Sequence, residues 1–185
     1  MMAGRPRAFD RETAIIIAME QFWRDGFEST TVAKLTEAMG ITPPSLYAAF
    51  GDKDKLFQAA AVCYFTSVSA NFEKALSLPT FQQSVTEMLH LSAFAHTDEG
   101  TPPGCFMATE PRLADQREIL RQRLVDRATR GIAEGDVPIG SDPEQLASFV
   151  MAVHSGMSSR ARDGASSDEV MAIAEMGLAA LSFGT

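Results

Sequence analysis

Cysteine is scarce in this chain, and this and other absences exclude several architectures. The 185 residues contain only Cys63 and Cys105, which are too few for a disulfide framework and do not form a CxxC motif. No apolar stretch reaches the roughly 20 residues needed to cross a bilayer, and no charged-then-apolar signal peptide opens the chain. We therefore expect a cytoplasmic protein with no membrane partner.

The chain also lacks an excess of positive charge, because its formal net charge is −8. Residues 1–57 contain seven basic and eight acidic residues, whereas the remainder contains nine basic and sixteen acidic residues. Arg5, Arg7 and Arg11 lie in and just after an N-terminal arm, and Lys53 and Lys55 lie near residue 50. Contact with a polyanion depends on where the cations lie rather than on the net charge of the protein. The positions of these cations predict a polarised protein whose N-terminal end faces a polyanion.

Helix-forming residues are plentiful and β-branched runs are few, which predicts an all-α fold of about nine helices. Asp10 is placed to cap the first helix, and Asp52 to cap a long helix from Lys53 to about Leu78. The arginines of residues 116–134 alternate with acidic residues and predict a solvated helix face. Further helices are expected at 81–96, 110–114, 116–134 and 143–162, with a last one after a Ser166–Glu169 capping box.

Two short helices joined by a tight turn are indicated between residues 30 and 56. Thr30 is placed to cap a helix with apolar residues at spacings of three and four, and Gly40 supplies the left-handed residue that ends it. Thr42 caps the second helix, and Pro43 suits its first position. Small residues at the start of that helix permit close approach to a DNA groove, although two core helices would give the same pattern.

This helix pair lies in a longer run that resembles the TetR family of bacterial transcriptional regulators. The matching residues are Phe22, Gly26, Phe27, Thr30, Thr31, Val32, Gly40, Ile41, Thr42, Ser45, Leu46, Tyr47, Phe50, Lys53 and Leu56. The resemblance covers about the first 60 residues strongly and the rest in outline. The family often has a lysine and a glycine where this chain has Pro43 and Pro44, so the operator sequence cannot be transferred from relatives.

The resemblance implies a three-helix DNA-binding domain with a helix-turn-helix over residues 1–52 and a larger ligand-sensing and dimerisation domain over residues 53–185. It implies a homodimer that binds a palindromic operator in double-stranded DNA as a ligand-responsive repressor. Tyr47 and Lys53 are expected to contact phosphates. The full set expected at the DNA is Arg5, Arg7, Thr30, Thr31, Thr42, Pro43, Pro44, Ser45, Tyr47 and Lys53.

The family's outline also places an effector cavity in the second domain, where phenylalanine and methionine predict an apolar or aromatic small molecule. The expected lining is Tyr64, Phe65, Phe72, Met88, Leu91, Phe94, Phe106, Met107, Phe149, Val153, His154 and Met157. The last two helices either form an intrachain hairpin or pair with a second copy as a four-helix bundle, which we favour. The expected dimer interface is Phe149, Val153, Met157, Val170, Ile173, Met176, Gly177, Ala180 and Leu181.

Other chemistry is weakly indicated. His90 and His96 are six residues apart, which does not place both on one helix face, and His154 is distant in sequence, so we expect no metal. Cys105 is expected to be a small buried hydrophobe. Without a P-loop or nucleophile elbow we expect no cofactor and no catalytic residues. An activator, a redox-responsive regulator using Cys105, a helical enzyme and a protein-only adaptor remain open alternatives.

Overall fold

The computed structural model of the protein describes residues 10–181, and within that range it contains helices and no strand. The prediction of an all-α fold with about nine helices is confirmed there. A one-turn 3-10 helix, Pro111–Leu113, follows the sixth α-helix. The α-helices are α1 Arg11–Ser29, α2 Val32–Met39, α3 Pro43–Phe50, α4 Lys53–Leu76, α5 Phe81–His96, α6 Phe106–Thr109, α7 Ala114–Glu134, α8 Pro143–Arg162 and α9 Ser167–Ala180.

Local capping explains most of these boundaries. The carboxylate of Asp10 accepts the main-chain N–H of Glu12, and that of Asp142 accepts the N–H of Glu144. Ser166 begins α9 with the expected capping box. The short helix expected at 110–114 is the 3-10 helix Pro111–Leu113, which Glu110 caps; α6, which ends at Thr109, was not predicted.

The chain divides into two compact units, residues 1–64 and 65–185. This division lies beyond residue 52, where the resemblance placed the domain boundary. The reason is visible in the packing, because residues 53–64 of α4 belong to the first unit. There the ring of Phe57 lies edge-on to Phe22 and Phe27 at 5.2 and 5.0 Å between centroids, and Tyr64 lies edge-on to Trp23 at 5.1 Å. These aromatic pairs form the core of the unit.

In the second unit, α5, α7, α8 and α9 pack around an apolar centre that includes Leu89, Leu124 and Val150. The helices α8 and α9 approach closely at Gly177. A Cβ atom added there would lie 2.9 Å from Cγ1 of Val153. Glycine is therefore needed for the observed separation of these two helices.

One arginine of α7 is buried, against the expectation of a solvated face for all of them. The guanidinium of Arg127 donates to Oγ of Ser84 and to the carbonyls of Leu78 and Pro79, and it lies 3.6 Å from the carboxylate of Asp136. A buried charge is tolerated when it is paired and hydrogen-bonded in this way. Arg127 thus ties α7 to the turn that precedes α5. No helix within residues 10–181 is long and apolar enough to span a membrane.

Candidate nucleic-acid interface

The corner between α1 and α2 differs by one residue from the expectation. Thr31, not Thr30, is the N-cap of α2, and its Oγ1 accepts the main-chain N–H of Lys34 at 3.2 Å. Thr30 is fully buried, and its hydroxyl donates to the carbonyl of Gly26 at 2.7 Å. Thr30 therefore closes the kinked end of α1, and its side chain is not exposed for contact with DNA.

The turn between α2 and α3 has the expected geometry. Gly40 adopts the left-handed conformation, φ 65° and ψ 33°, which a glycine adopts without steric cost. The N–H of Ile41 then donates to the carbonyl of Thr36 at 3.0 Å, as in a Schellman-type helix end. Because Thr42 begins α3 directly afterwards, the direction of α3 is fixed by local chemistry.

The helix α3 turns one face inward and leaves its N-terminal half exposed. Leu46 and Phe50 are buried in the first unit. The exposed residues include Thr42, Pro43, Pro44, Ser45 and Tyr47. Among them Tyr47 is the largest, with 49% of its surface exposed. Because these side chains are exposed, this face is available to a partner.

The exposed hydroxyls at the start of α3 are paired with each other. Oγ1 of Thr42 and Oγ of Ser45 lie 2.9 Å apart, and either can be the donor. Thr42 makes no capping bond to the main chain of α3. One hydrogen of this pair is engaged, and the other can be offered to an acceptor outside the protein.

Lys53 is not the exposed cation that the sequence led us to expect. Its ammonium donates to the carbonyl of Phe27 at 2.9 Å and to that of Thr30 at 3.0 Å. The same ammonium lies 4.0 Å from the centroid of the Phe27 ring, a cation–π distance. Two of its three N–H donors are therefore used to join the start of α4 to the end of α1.

Other cations of the first unit are more accessible. The side chain of Lys55 is 67% exposed and lies 3.4 Å from the carboxylate of Asp52. That carboxyl has a pKa below its ordinary value, mainly because it accepts the main-chain N–H of Lys55. The guanidinium of Arg11 lies 5.1 Å from the centre of the Phe50 ring. Arg5 and Arg7 lie outside the described residues.

In the second unit, only some of the expected pocket residues lie inside. Phe72, Met88, Phe106, Met107 and Met157 are buried. Leu91 and Phe94 are 44% and 62% exposed on α5, so the expectation that they face an internal cavity was wrong. The prediction failed because the stripe of apolar residues on α5 is wider than the face of α5 that packs against other helices. The positions of the remaining expected residues are mixed: Tyr64 belongs to the first unit, and Phe65, Phe149, Val153 and His154 are partly exposed.

The expected dimer residues also separate into two groups. Met157, Val170, Gly177 and Leu181 are buried within the single chain, mainly where α8 and α9 form a hairpin, so they are not free to contact a second copy. Val153 and Ile173 are half-buried. The residues of this set that are exposed are Phe149, Met176 and Ala180. Phe149 and Ala180 line a groove of about 370 Å³ at the start of α8 and the end of α9.

Three side chains that were distant in sequence converge in the second unit. Ring nitrogens of His96 and His154 and the sulfur of Cys105 lie within 4.8 Å of one another. Cys105 is buried, as expected. Burial lowers the pKa of His96 to about 3, with a further contribution from the nearby His154, and burial lowers the pKa of His154 to about 4. Both imidazoles are therefore neutral near pH 7. Spacing along the sequence gave no signal for this cluster, because its members come from three elements.

A capped corner that presents an exposed second helix from a small helical unit is the arrangement of a helix-turn-helix protein. Residues 17–60 match the family model described as bacterial regulatory proteins, tetR family. The transcriptional repressor ComR of Escherichia coli (strain K12) is 34% identical to this chain, and the match covers 92% of this chain and 88% of the relative. The chain belongs to the TetR family.

Solved structures agree with this assignment. A cysteine-substituted variant of the TetR family regulator CifR, complexed with 26-base-pair operator DNA, is 35% identical with a TM-score of 0.91, and the match covers 97% of this chain and 100% of that one. A TetR regulator from Rhodococcus sp. RHA1 is 36% identical with a TM-score of 0.63, covering 94% and 100% of the two chains. The repressor BdcR of Escherichia coli (strain K12) is 31% identical, covering 94% of this chain and 89% of the relative.

Proposed function

We propose that this protein is a DNA-binding transcriptional repressor that acts as a homodimer on an inverted-repeat operator. The observation that carries the proposal is the exposed N-terminal half of α3, held in place by the capped corner at Gly40 and by the buried Leu46 and Phe50. The names of the relatives ComR and BdcR as repressors, and the operator complex of CifR, support it.

The helix α3 reads bases mainly by shape and apolar contact. Pro43 and Pro44 offer apolar surface to thymine methyl groups, and the Thr42–Ser45 hydroxyl pair can offer one hydrogen bond. The exposed start of α3 contains no arginine or asparagine for a bidentate base contact. Base discrimination by this helix is therefore modest, and part of the specificity comes from DNA shape.

Phosphate contacts orient the protein on the duplex. The phenol of Tyr47 projects from the exposed side of α3 and donates to a phosphate oxygen. Lys53 supports this contact indirectly, because its ammonium joins the start of α4 to the end of α1. Lys55 supplies a further charge, and Arg5 and Arg7 of the N-terminal arm complete the proposed set.

Dimerisation uses the exposed side of the α8–α9 hairpin. Phe149 and Met176 are large apolar side chains left exposed on these helices, and Ala180 allows close approach. Pairing with a second copy would bury them in a four-helix bundle. Two recognition helices then contact half-sites about one helical turn apart or a small multiple of it.

Operator binding is controlled by an effector that binds one of two conformational states of the dimer more tightly than the other. Typical couplings of about 1–3 kcal/mol correspond to a roughly 5- to 150-fold change in operator affinity, and linkage requires the same change in effector affinity. We propose a cytoplasmic regulator without enzymatic activity. An apolar or aromatic effector remains a prediction, and a repressor is favoured over an activator by the names of two relatives.

The proposal is tested by selecting bound duplexes from a random DNA pool and measuring the affinity of the selected duplex at several salt concentrations. We expect an inverted repeat and an affinity that falls steeply with salt. Tyr47→Phe should weaken binding to all duplexes alike, whereas Ser45→Ala should change the ranking of sequences. Absence of salt-dependent DNA retention would instead support a protein-only adaptor.

A further inference from the structure

The side chains of His96, Cys105 and His154 form a compact cluster inside the second unit. His96 is the last residue of α5, Cys105 directly precedes α6, and His154 lies in the middle of α8. Their candidate ligand atoms, two ring nitrogens and one sulfur, lie within 4.8 Å of one another. Three elements that are separate in sequence thus place nitrogen and sulfur ligands around one point.

The two imidazoles each carry a buried nitrogen that no protein atom satisfies. Nδ1 of His96 and Nδ1 of His154 have no hydrogen-bond partner among the protein atoms. His96 is 4% exposed, and the two rings stand edge to face with centroids 4.9 Å apart. An unpaired buried nitrogen costs free energy, so such a pair points to a ligand that both rings share.

The main chain around the cluster is held in place. The N–H of Gly104 donates to the carbonyl of His96, and the N–H of Cys105 donates to Oγ of Ser158, each at 2.8 Å. Gly104 has φ 78°, and an added Cβ would lie 2.7 Å from the carbonyl oxygen of Ser158. Ser158 lies one helical turn beyond His154 on α8. These contacts fix the backbones of all three residues relative to one another.

The donor set indicates which ion fits. Thiolate and imidazole are ligands that thiophilic ions favour. No carboxylate of the described residues belongs to the cluster, which argues against Mg²⁺ or Ca²⁺. We propose that His96, Cys105 and His154 form a three-ligand site for a thiophilic d¹⁰ cation, Zn²⁺ or Cu⁺.

Binding requires a small closure and one proton transfer. Bonds of about 2.0–2.1 Å to nitrogen and 2.3 Å to sulfur place tetrahedral ligand atoms roughly 3.3–3.6 Å apart, so the side chains close by about 1 Å. The thiol of Cys105 loses its proton to solvent as the sulfur–metal bond forms, and each imidazole donates a lone pair. A solvent or small-molecule ligand fills the fourth position around Zn²⁺.

The test uses the whole protein and does not depend on DNA binding. One arm titrates Zn²⁺ against a chromophoric chelator, and the other titrates Cu⁺ against a Cu⁺-selective chelator under anaerobic reducing conditions. We expect one ion per chain in at least one arm, and the arm with the tighter binding identifies the ion. Co²⁺ in place of Zn²⁺ should give a thiolate-to-metal charge-transfer band.

Histidine-selective ¹⁵N NMR of the wild-type protein provides an internal control. The chain contains three histidines, and the imidazole of His90 lies 2.6 Å from the carboxylate of Glu175, outside the cluster. Addition of one equivalent of Zn²⁺ or Cu⁺ should shift the ring nitrogens of two histidines and leave those of His90 unchanged. This measurement needs no variant and stays decisive if a substitution prevents folding.

Matched variants assign the ligands. Cys105→Ser and His154→Gln should each weaken binding by at least about 100-fold, beyond the 10- to 100-fold effect typical of changes outside the ligand shell. Cys63→Ser and His90→Gln should keep wild-type affinity. The proposal is overturned if neither ion binds at one per chain, if Zn²⁺ binds but Co²⁺ in its place gives no thiolate band, or if His90 shifts while the other two histidines do not.

Discussion

Replacing Lys53 by alanine distinguishes a structural role of this lysine from a direct phosphate contact. In the structure its ammonium donates to the carbonyls of Phe27 and Thr30 at 2.9 and 3.0 Å and lies over the Phe27 ring. The substitution removes all three interactions together. The carbonyls belong to the end of α1, so the change loosens the attachment of α4 to α1.

The expected loss can be estimated from these contacts. Hydrogen bonds to a charged group contribute about 1.5–3 kcal/mol each where they are buried, and a half-exposed cation–π contact about 0.5–1 kcal/mol. Because Lys53 is only half-buried, water replaces part of these interactions in the variant. We therefore expect the free energy of unfolding to fall by about 2 kcal/mol in total. In a chain of this length that lowers the melting temperature by roughly 4–8 °C.

The assay combines stability with DNA binding. Urea unfolding followed by circular dichroism reports the free energy of unfolding, and fluorescence anisotropy reports the affinity for the selected duplex across a salt series. We expect Lys53→Ala to lose stability and to bind every duplex more weakly. The slope of log affinity against log salt should stay within about half a unit of wild type, because most of the ammonium's donors face carbonyls.

Lys55→Ala is the matched control, because its side chain is 67% exposed and makes only a surface ion pair with Asp52. It should change stability by less than about 0.5 kcal/mol and lower the salt slope. If Lys53→Ala melts like wild type and lowers the salt slope by about one per subunit, Lys53 is a phosphate ligand and the structural reasoning is refuted.

Three further outcomes are expected. The free energy of unfolding of Gly177→Ala should be about 1–3 kcal/mol lower than that of Gly156→Ala. The new methyl group would contact α8 in the first variant and would lie in open space in the second. Met176→Glu should raise the dimer dissociation constant at least about 100-fold in sedimentation experiments, since a carboxylate would be buried in an apolar interface. The free energy of unfolding should fall as pH drops below about 6.5. The pKa values of His96 and His154 in the folded protein are depressed to about 3 and about 4. Their contribution to stability is therefore complete above their pKa in the unfolded chain and is lost as pH falls toward their pKa values in the folded protein.

Each of these outcomes has its own check. Equal stability of the two glycine variants would mean that α8 and α9 separate without cost. A charged residue at Ile139, which is 93% exposed in the loop before α8, should leave dimerisation intact, and dissociation by that variant would contradict the interface. His90→Gln should keep the acid sensitivity, and His96→Asn should reduce it.

The sequence alone determined the features that depend on neighbouring residues. The N-cap at Asp10, the capping box at Ser166 and the left-handed Gly40 were all predictable, because each uses hydrogen bonds or torsion angles within a few residues. The outward direction of Pro44 and Ser45 followed from the apolar spacing of Leu46 and Phe50 on the same short helix. The helix-turn-helix could therefore be predicted from the sequence pattern.

Only the tertiary structure decided which residues are buried among several that have the same sequence pattern. Apolar spacing on α5 does not distinguish Met88, which is buried, from Phe94, which is exposed, because that depends on which helices cover it. The ammonium of Lys53 finds its carbonyls 26 and 23 residues away, and no local pattern encodes that distance. The cluster of His96, Cys105 and His154 likewise exists only because α5, the loop before α6 and α8 meet, since contacts distant in sequence are set by the packing of whole helices.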